Sequence, residues 1–105
     1  MKNKLLSLLG ICKKAGKLIS GFDAVAEAVT KKTAMLVLTA SDLSAKTKKE
    51  IEYIAAKQTV EVIAIEAAID EIAQKTGKRA GVLTVTDKGL ADAVKAIYAA
   101  PMRRI

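Results

Sequence analysis

The chain has no histidine and no tryptophan, one cysteine (Cys12) and one proline (Pro101) in 105 residues. Each absence excludes something. Without histidine there is no usual general base, no Ser-His or Cys-His nucleophile pair, and no common zinc ligand set. A lone cysteine can form neither an internal disulfide nor a structural zinc site, and it fits a reducing, cytoplasmic setting. Only Phe22, Tyr53 and Tyr98 are aromatic, so the core must be built from Leu, Ile, Val and Ala. No apolar run approaches the length of a membrane span. Lysines followed by Leu5–Ile11 have the layout of a signal peptide's first half. That run is broken by Ser7 and Gly10 and leads into further lysines, so it reads as an amphipathic helix of the mature chain.

Basic charge is in excess, with 18 Lys and Arg against 11 Asp and Glu, a formal net charge of +7. It is also segregated. Residues 1–22 carry Lys2, Lys4, Lys13, Lys14 and Lys17 and no acid. Residues 31–49 carry Lys31, Lys32, Lys46, Lys48 and Lys49 against Asp42. Residues 50–71 reverse the sign, with six acids against Lys57. An excess and a segregation of this kind point to a polyanion, nucleic acid above all. The plainer reading is solvated helix faces that happen not to mix.

The length suits one domain, residues 1–105. Apolar residues at Leu5, Leu8, Leu9 and Cys12 follow helical spacing, and Gly16 ends that helix. A short extended piece, Lys17–Ser20, follows. Ser20 then reads as the N-cap of a helix over Gly21–Lys31, with Asp23 completing a capping-box variant. Ala34–Ala40 is a nearly continuous apolar run, the mark of a strand covered on both faces. Ser44 or Ser41 caps a third helix reaching Lys57. Val60–Ile65 is a second buried strand, and a fourth helix runs from Glu66 to Thr76, closed by Gly77 in a left-handed cap. Gly81–Thr86 is the next strand, and Asp87 caps the last helix. Strands alternating with helices predict a three-layer α/β/α sandwich around a largely parallel or mixed sheet.

Catalytic and phosphate-loop motifs are missing. Gly10 to Gly16 is not GxGxxG, and Gly77-Lys78 lacks the rest of a Walker loop. Cys12 shares an apolar face with Leu5 and Leu8 and reads as a core thiol. No metal or cofactor is implied. Two turns invite a ligand. In the first, Lys17-Leu-Ile-Ser-Gly-Phe-Asp23, a glycine opens a helix with unpaired amides, and Lys13, Lys14 and Lys17 precede it. A phosphate or a base edge suits that geometry, and so does an ordinary helix start. In the second, Gly77-Lys78-Arg79-Ala80-Gly81, small residues and cations lead into a strand. That turn also reads as a simple helix-to-strand connection.

The stretches Leu-Leu-Gly-Ile-Cys-Lys-Lys-Ala-Gly-Lys-Leu-Ile-Ser-Gly-Phe-Asp-Ala-Val and Ala-Met-Leu-Val-Leu-Thr-Ala-Ser-Asp-Leu-Ser resemble the L-seven-Ae superfamily of kink-turn RNA-binding ribosomal proteins. The likeness extends to the small bacterial YlxQ-like branch. Glu71 to Gly77 and the Val-x-x-x-Asp-x-Gly close at Gly89 add to it, and it covers about Leu5 to Ile97. The resemblance implies an α/β/α sandwich with a mixed four-stranded sheet and about five helices, and no catalysis. It implies a non-catalytic binder of structured, kink-turn-like RNA, ribosome-associated, cytoplasmic and monomeric, without a membrane role.

Carried over position by position, Gly21 matches the family glycine, whose amide approaches RNA. Asp23 stands where Asn is usual and can still accept from a guanine edge. Ala24 replaces a Glu. Glu27 stands where a Lys is usual, turning a phosphate contact into an anion. Phe22 holds the variable position, where an exposed ring would stack on a base and a buried one would pack against the sheet. The second RNA-contacting loop falls at Lys78–Leu83, giving Lys78, Arg79, Ala80, Gly81 and Val82. Lys13, Lys14, Lys17, Lys31, Lys32, Lys78 and Arg79 are expected to ring one face. On that expectation, Lys14→Glu with Lys17→Glu abolishes RNA binding, and Glu27→Lys tightens it. The alternative, favoured by Ala24 and Glu27, is a protein–protein adaptor whose RNA-contact positions have drifted.

Overall fold

A computed structural model describes residues 2–99. Nine elements follow one another: α1 (Lys2–Lys14), β1 (Leu18–Ser20), α2 (Phe22–Thr30), β2 (Leu36–Thr39), α3 (Ala45–Lys57), β3 (Val62–Ala64), α4 (Ile69–Thr76), β4 (Val82–Val85) and α5 (Lys88–Ala99). The four strands form one sheet in the order β1-β4-β2-β3. Only β2 and β3 are parallel; β4 is antiparallel to both β1 and β2. The sheet is therefore mixed rather than largely parallel, and the short α4 explains why. Eight residues span only about 12 Å, so the chain does not cross back over the sheet. Instead β4 enters beside the ends of β1 and β2 and runs against them.

Alternation along the central strands divides the interior in two. Leu36 and Leu38 of β2 and Leu83 and Val85 of β4 face a layer made by α1, α4 and α5, among them Leu5, Leu9, Ile72 and Val94. Val37 and Val82 face the other layer, made by α2 and α3 through Val25, Val29 and Ile51. Cys12 is fully buried in the first layer, a core thiol as expected, and burial raises its pKa. Thr84 satisfies its buried hydroxyl on the Leu36 carbonyl at 2.7 Å. Thr39, also fully buried, has a hydroxyl with no partner among the described residues.

Several expected boundaries move. The helix expected from Glu66 begins at Ile69, after a loop. Ser20 is not an N-cap: it pairs with Leu83 as the last residue of β1, and Gly21 takes the cap position. Ser44, not Ser41, caps α3, accepting from the Thr47 amide at 3.3 Å. Asp87 caps α5 through the Leu90 amide at 2.9 Å, and Gly77 closes α4 at φ 79°.

Candidate nucleic-acid interface

Strand direction decides where the helices begin. Strands β1, β2 and β3 all run toward one end of the sheet, so α2, α3 and α4 start there. Short links bring the three starts together. The Gly21 amide donates to the Val82 carbonyl, the Ala40 amide to the Gly81 carbonyl, and the Ser41 amide to the Ala67 carbonyl, each at 2.9 Å. A Cβ on Gly81 would lie 2.7 Å from Leu43 Cδ1 and 3.2 Å from Ile69 Cδ1, so glycine there lets the loops close on one another. Aligned helix starts present partial positive charge and open amides, an environment for anions.

The three starts are not equivalent. At α3 the Ser44 hydroxyl takes an amide. At α4 two carboxylates do so: Asp42 Oδ1 accepts from the Ile69 amide and Glu71 Oε1 from the Ala68 amide, each at 2.9 Å. Asp42 therefore caps the helix across the gap rather than the one that follows it in sequence. The α2 start has no side-chain cap among the described residues. Its first intrahelical bond is Val25 to Gly21, so the amides of Phe22, Asp23 and Ala24 lie ahead of the ladder. Gly21 sits at φ 105°, ψ 143°, a conformation that side chains avoid.

Lys78 lies directly beside this open start. Its Nζ donates to the Ser20 carbonyl at 3.2 Å, and a Cβ on Gly21 would lie 3.9 Å from that nitrogen. The two turns singled out in the sequence thus meet. Around them, Arg79 is ion-paired with Asp70, which ties the loop to the start of α4. Ala80 and Val82 are buried, so only their backbones can reach a ligand, and the Val82 carbonyl is already engaged by Gly21. Phe22 is half-buried against the α2–α3 layer, whereas Asp23 and Ala24 are exposed. Glu27 faces solvent one turn on and pairs with Lys31 at 3.1 Å.

The other expected lysines stand elsewhere. Thr86 donates to the Lys17 carbonyl, while Gly21 pairs with Val82. The length of β1, about 13 Å over four residues, therefore separates Lys17 from Gly21. Lys13 and Lys14 end α1 at the Lys17 end. Lys31 and Lys32 close α2, about 15 Å of helix away from Gly21. The expected ring of lysines is therefore split between two opposite ends. Lys46, in the first turn of α3, is instead at the Gly21 end; its place beside Ser44 was the only signal for it.

Electrostatic shifts at this end are structural. Glu71 is held below its ordinary pKa by the hydrogen bond from the Ala68 amide and then by Lys2, 2.8 Å away. Among the described residues no group of His, Cys, Asp and Glu could hold a metal ion, and no helix is long and apolar enough to cross a membrane.

The fold recurs in known proteins. The chain is 30% identical over 94 residues to an RNA-binding protein YlxQ of Enterococcus faecium, covering 90% of each. It superposes on a Bacillus halodurans protein of unknown function with a TM-score of 0.84, at 28% identity, covering 90% of this chain and 95% of the other. A 15.5kD RNA-binding protein of Giardia lamblia shares the fold at a TM-score of 0.77, with 16% identity and coverage of 93% and 88%. Residues 3–95 match the family described as ribosomal protein L7Ae/L30e/S12e/Gadd45, and the chain belongs to that family.

Proposed function

We propose that this protein is a non-catalytic, cytoplasmic RNA-binding protein that recognises sharply bent, kink-turn-like RNA through its Gly21 end, in association with the ribosome. The observation that carries the reading is the uncapped start of α2, with Gly21 at its tip and Lys78 beside it. Phosphate oxygens and base-edge acceptors suit the open amides, Lys78 neutralises a phosphate, and Asp23 accepts from a guanine edge. RNA is also the partner class of the RNA-binding protein of Enterococcus faecium that the chain resembles.

One observation favours the adaptor reading. An apolar groove of about 620 Å³ lies between α1 and α5, lined by Leu8, Ile11, Ala93 and Ile97, with Ile11 55% exposed. Titration of a labelled kink-turn RNA and a straight duplex of equal length, at two salt concentrations, separates the readings. The RNA reading expects preference for the kink-turn. It also expects about a 40-fold loss of affinity between roughly 50 and roughly 200 mM salt if about three phosphates are neutralised. Equal weak binding to both RNAs, or none, overturns it.

A further inference from the structure

At the Lys17 end, away from the open start of α2, lies a cleft of about 510 Å³ between the finishes of α2 and α3 and the start of β2. That is ample for one nucleotide. Lys32, Lys57, Gln58 and Thr59 form its polar lining, and Ala34, Met35 and Val60 supply apolar surface. Neither lysine has a carboxylate within salt-bridge distance among the described residues.

The backbone marks the same two side chains. Helix α2 ends with Lys32 donating to the Val29 carbonyl and Thr33 to the Ala28 carbonyl. Helix α3 ends in the same way, with Thr59 donating to Ala56 and Val60 to Ala55. Both closures are Schellman motifs, which place one residue in the left-handed region and strongly favour glycine there. Here those residues are Lys32 at φ 66° and Thr59 at φ 60°, the only non-glycine residues with positive φ among those described. For a β-branched residue this is an outlier. Compensation of the helix dipole accounts for a lysine anywhere in a last turn. It does not account for a left-handed lysine and a left-handed threonine lining one cleft.

Lys57 also reaches Tyr53, 65% exposed, with its Nζ 4.6 Å from the ring centroid. Two cations, a hydroxyl, an apolar floor and an accessible aromatic ring match the parts of a nucleotide: phosphate, sugar and base. We propose that this cleft holds one unpaired nucleotide of a bound RNA, its phosphate between Lys32 and Lys57 and its base against the apolar floor or the Tyr53 ring. The inference rests on the RNA reading and adds a second contact at the opposite end of the molecule.

Amide NMR titrations of the full chain test it. The probes are a kink-turn RNA, the same RNA with a single-stranded tail long enough to span the 34 Å molecule, and the tail oligonucleotide alone. The plain RNA shifts the amides around Gly21 and Lys78. The tailed RNA adds shifts at Lys32–Met35 and Gln58–Val60 and tightens binding about tenfold. Lys32→Gly and Lys57→Ala remove that gain, whereas Lys78→Ala weakens both RNAs equally and leaves the gain intact. Lys32→Gly cannot fail merely by unfolding, because glycine relieves the left-handed position and raises Tm by about 4 °C. A tailed RNA that adds neither shifts nor affinity overturns the proposal. Shifts in the cleft without any around Gly21 uphold the cleft and overturn the Gly21 site instead.

Discussion

The two ends of the sheet show how one architecture makes two unlike surfaces. At the Gly21 end three helices start, and their amides are met by Ser44, Asp42 and Glu71 everywhere except at α2. At the Lys17 end α1, α2 and α3 finish, and lysines stand in or just after each last turn. Much of the charge in a chain of this fold therefore answers backbone polarity before it answers any partner. The informative positions are those where that answer is missing or excessive. An uncapped helix start beside Lys78 is the first kind; left-handed Lys32 and Thr59 are the second.

The largest effect expected from breaking this contrast is at Gly21. Gly21→Val forces a β-branched residue into φ 105° and costs about 2 kcal/mol of stability, read from urea unfolding. A loss below about 0.5 kcal/mol would show that the α2 start relaxes freely and is not pre-formed. Asp42→Ala removes the cap that α4 receives from across the gap and costs about 1 kcal/mol, measured in the same way. Thr59→Gly acts in the opposite direction and stabilises by about 1 kcal/mol. Destabilisation there would mean that the Thr59 side chain supports the fold and is not kept for a ligand.

The smallest effect is a pH dependence. Glu71 has a folded-state pKa below its unfolded one. Its contribution to stability is complete above the unfolded value and is lost as pH falls through the folded one. Thermal unfolding of wild type and Glu71→Gln should differ at neutral pH and converge as the solution becomes more acidic than the ordinary carboxylate range. A difference that persists in acid would assign the effect to packing.

The layers, the mixed sheet and all nine elements could be read from periodicity and from the family resemblance, because buried strands and amphipathic helices leave their spacing in the chain. The meeting of Lys78 with the Ser20-Gly21 turn followed only from the resemblance; nothing local links Ser20 and Lys78, 58 residues apart. The lysines divide between the two ends for a physical reason. Lys17 and Gly21 are near in sequence, and a strand between them carries them about 13 Å apart. Asp42 precedes α3 in the chain and caps α4, a choice that only loop packing makes. The left-handed Lys32 and Thr59 had no sequence signal, since glycine is what marks such a position in a sequence.

The central claim is that RNA meets the Gly21 end. The direct measurement compares kink-turn RNA affinity for Lys78→Glu with Arg79→Glu against Lys14→Glu with Lys17→Glu, with circular dichroism confirming that each protein is folded. Each pair changes the net charge equally. The account predicts a loss of at least about tenfold for the first pair, the cost of disrupting phosphate contacts, and less than about threefold for the second. Equal losses would reduce RNA binding to net charge, and a larger loss for Lys14 and Lys17 would place the RNA at the wrong end of the molecule for this account.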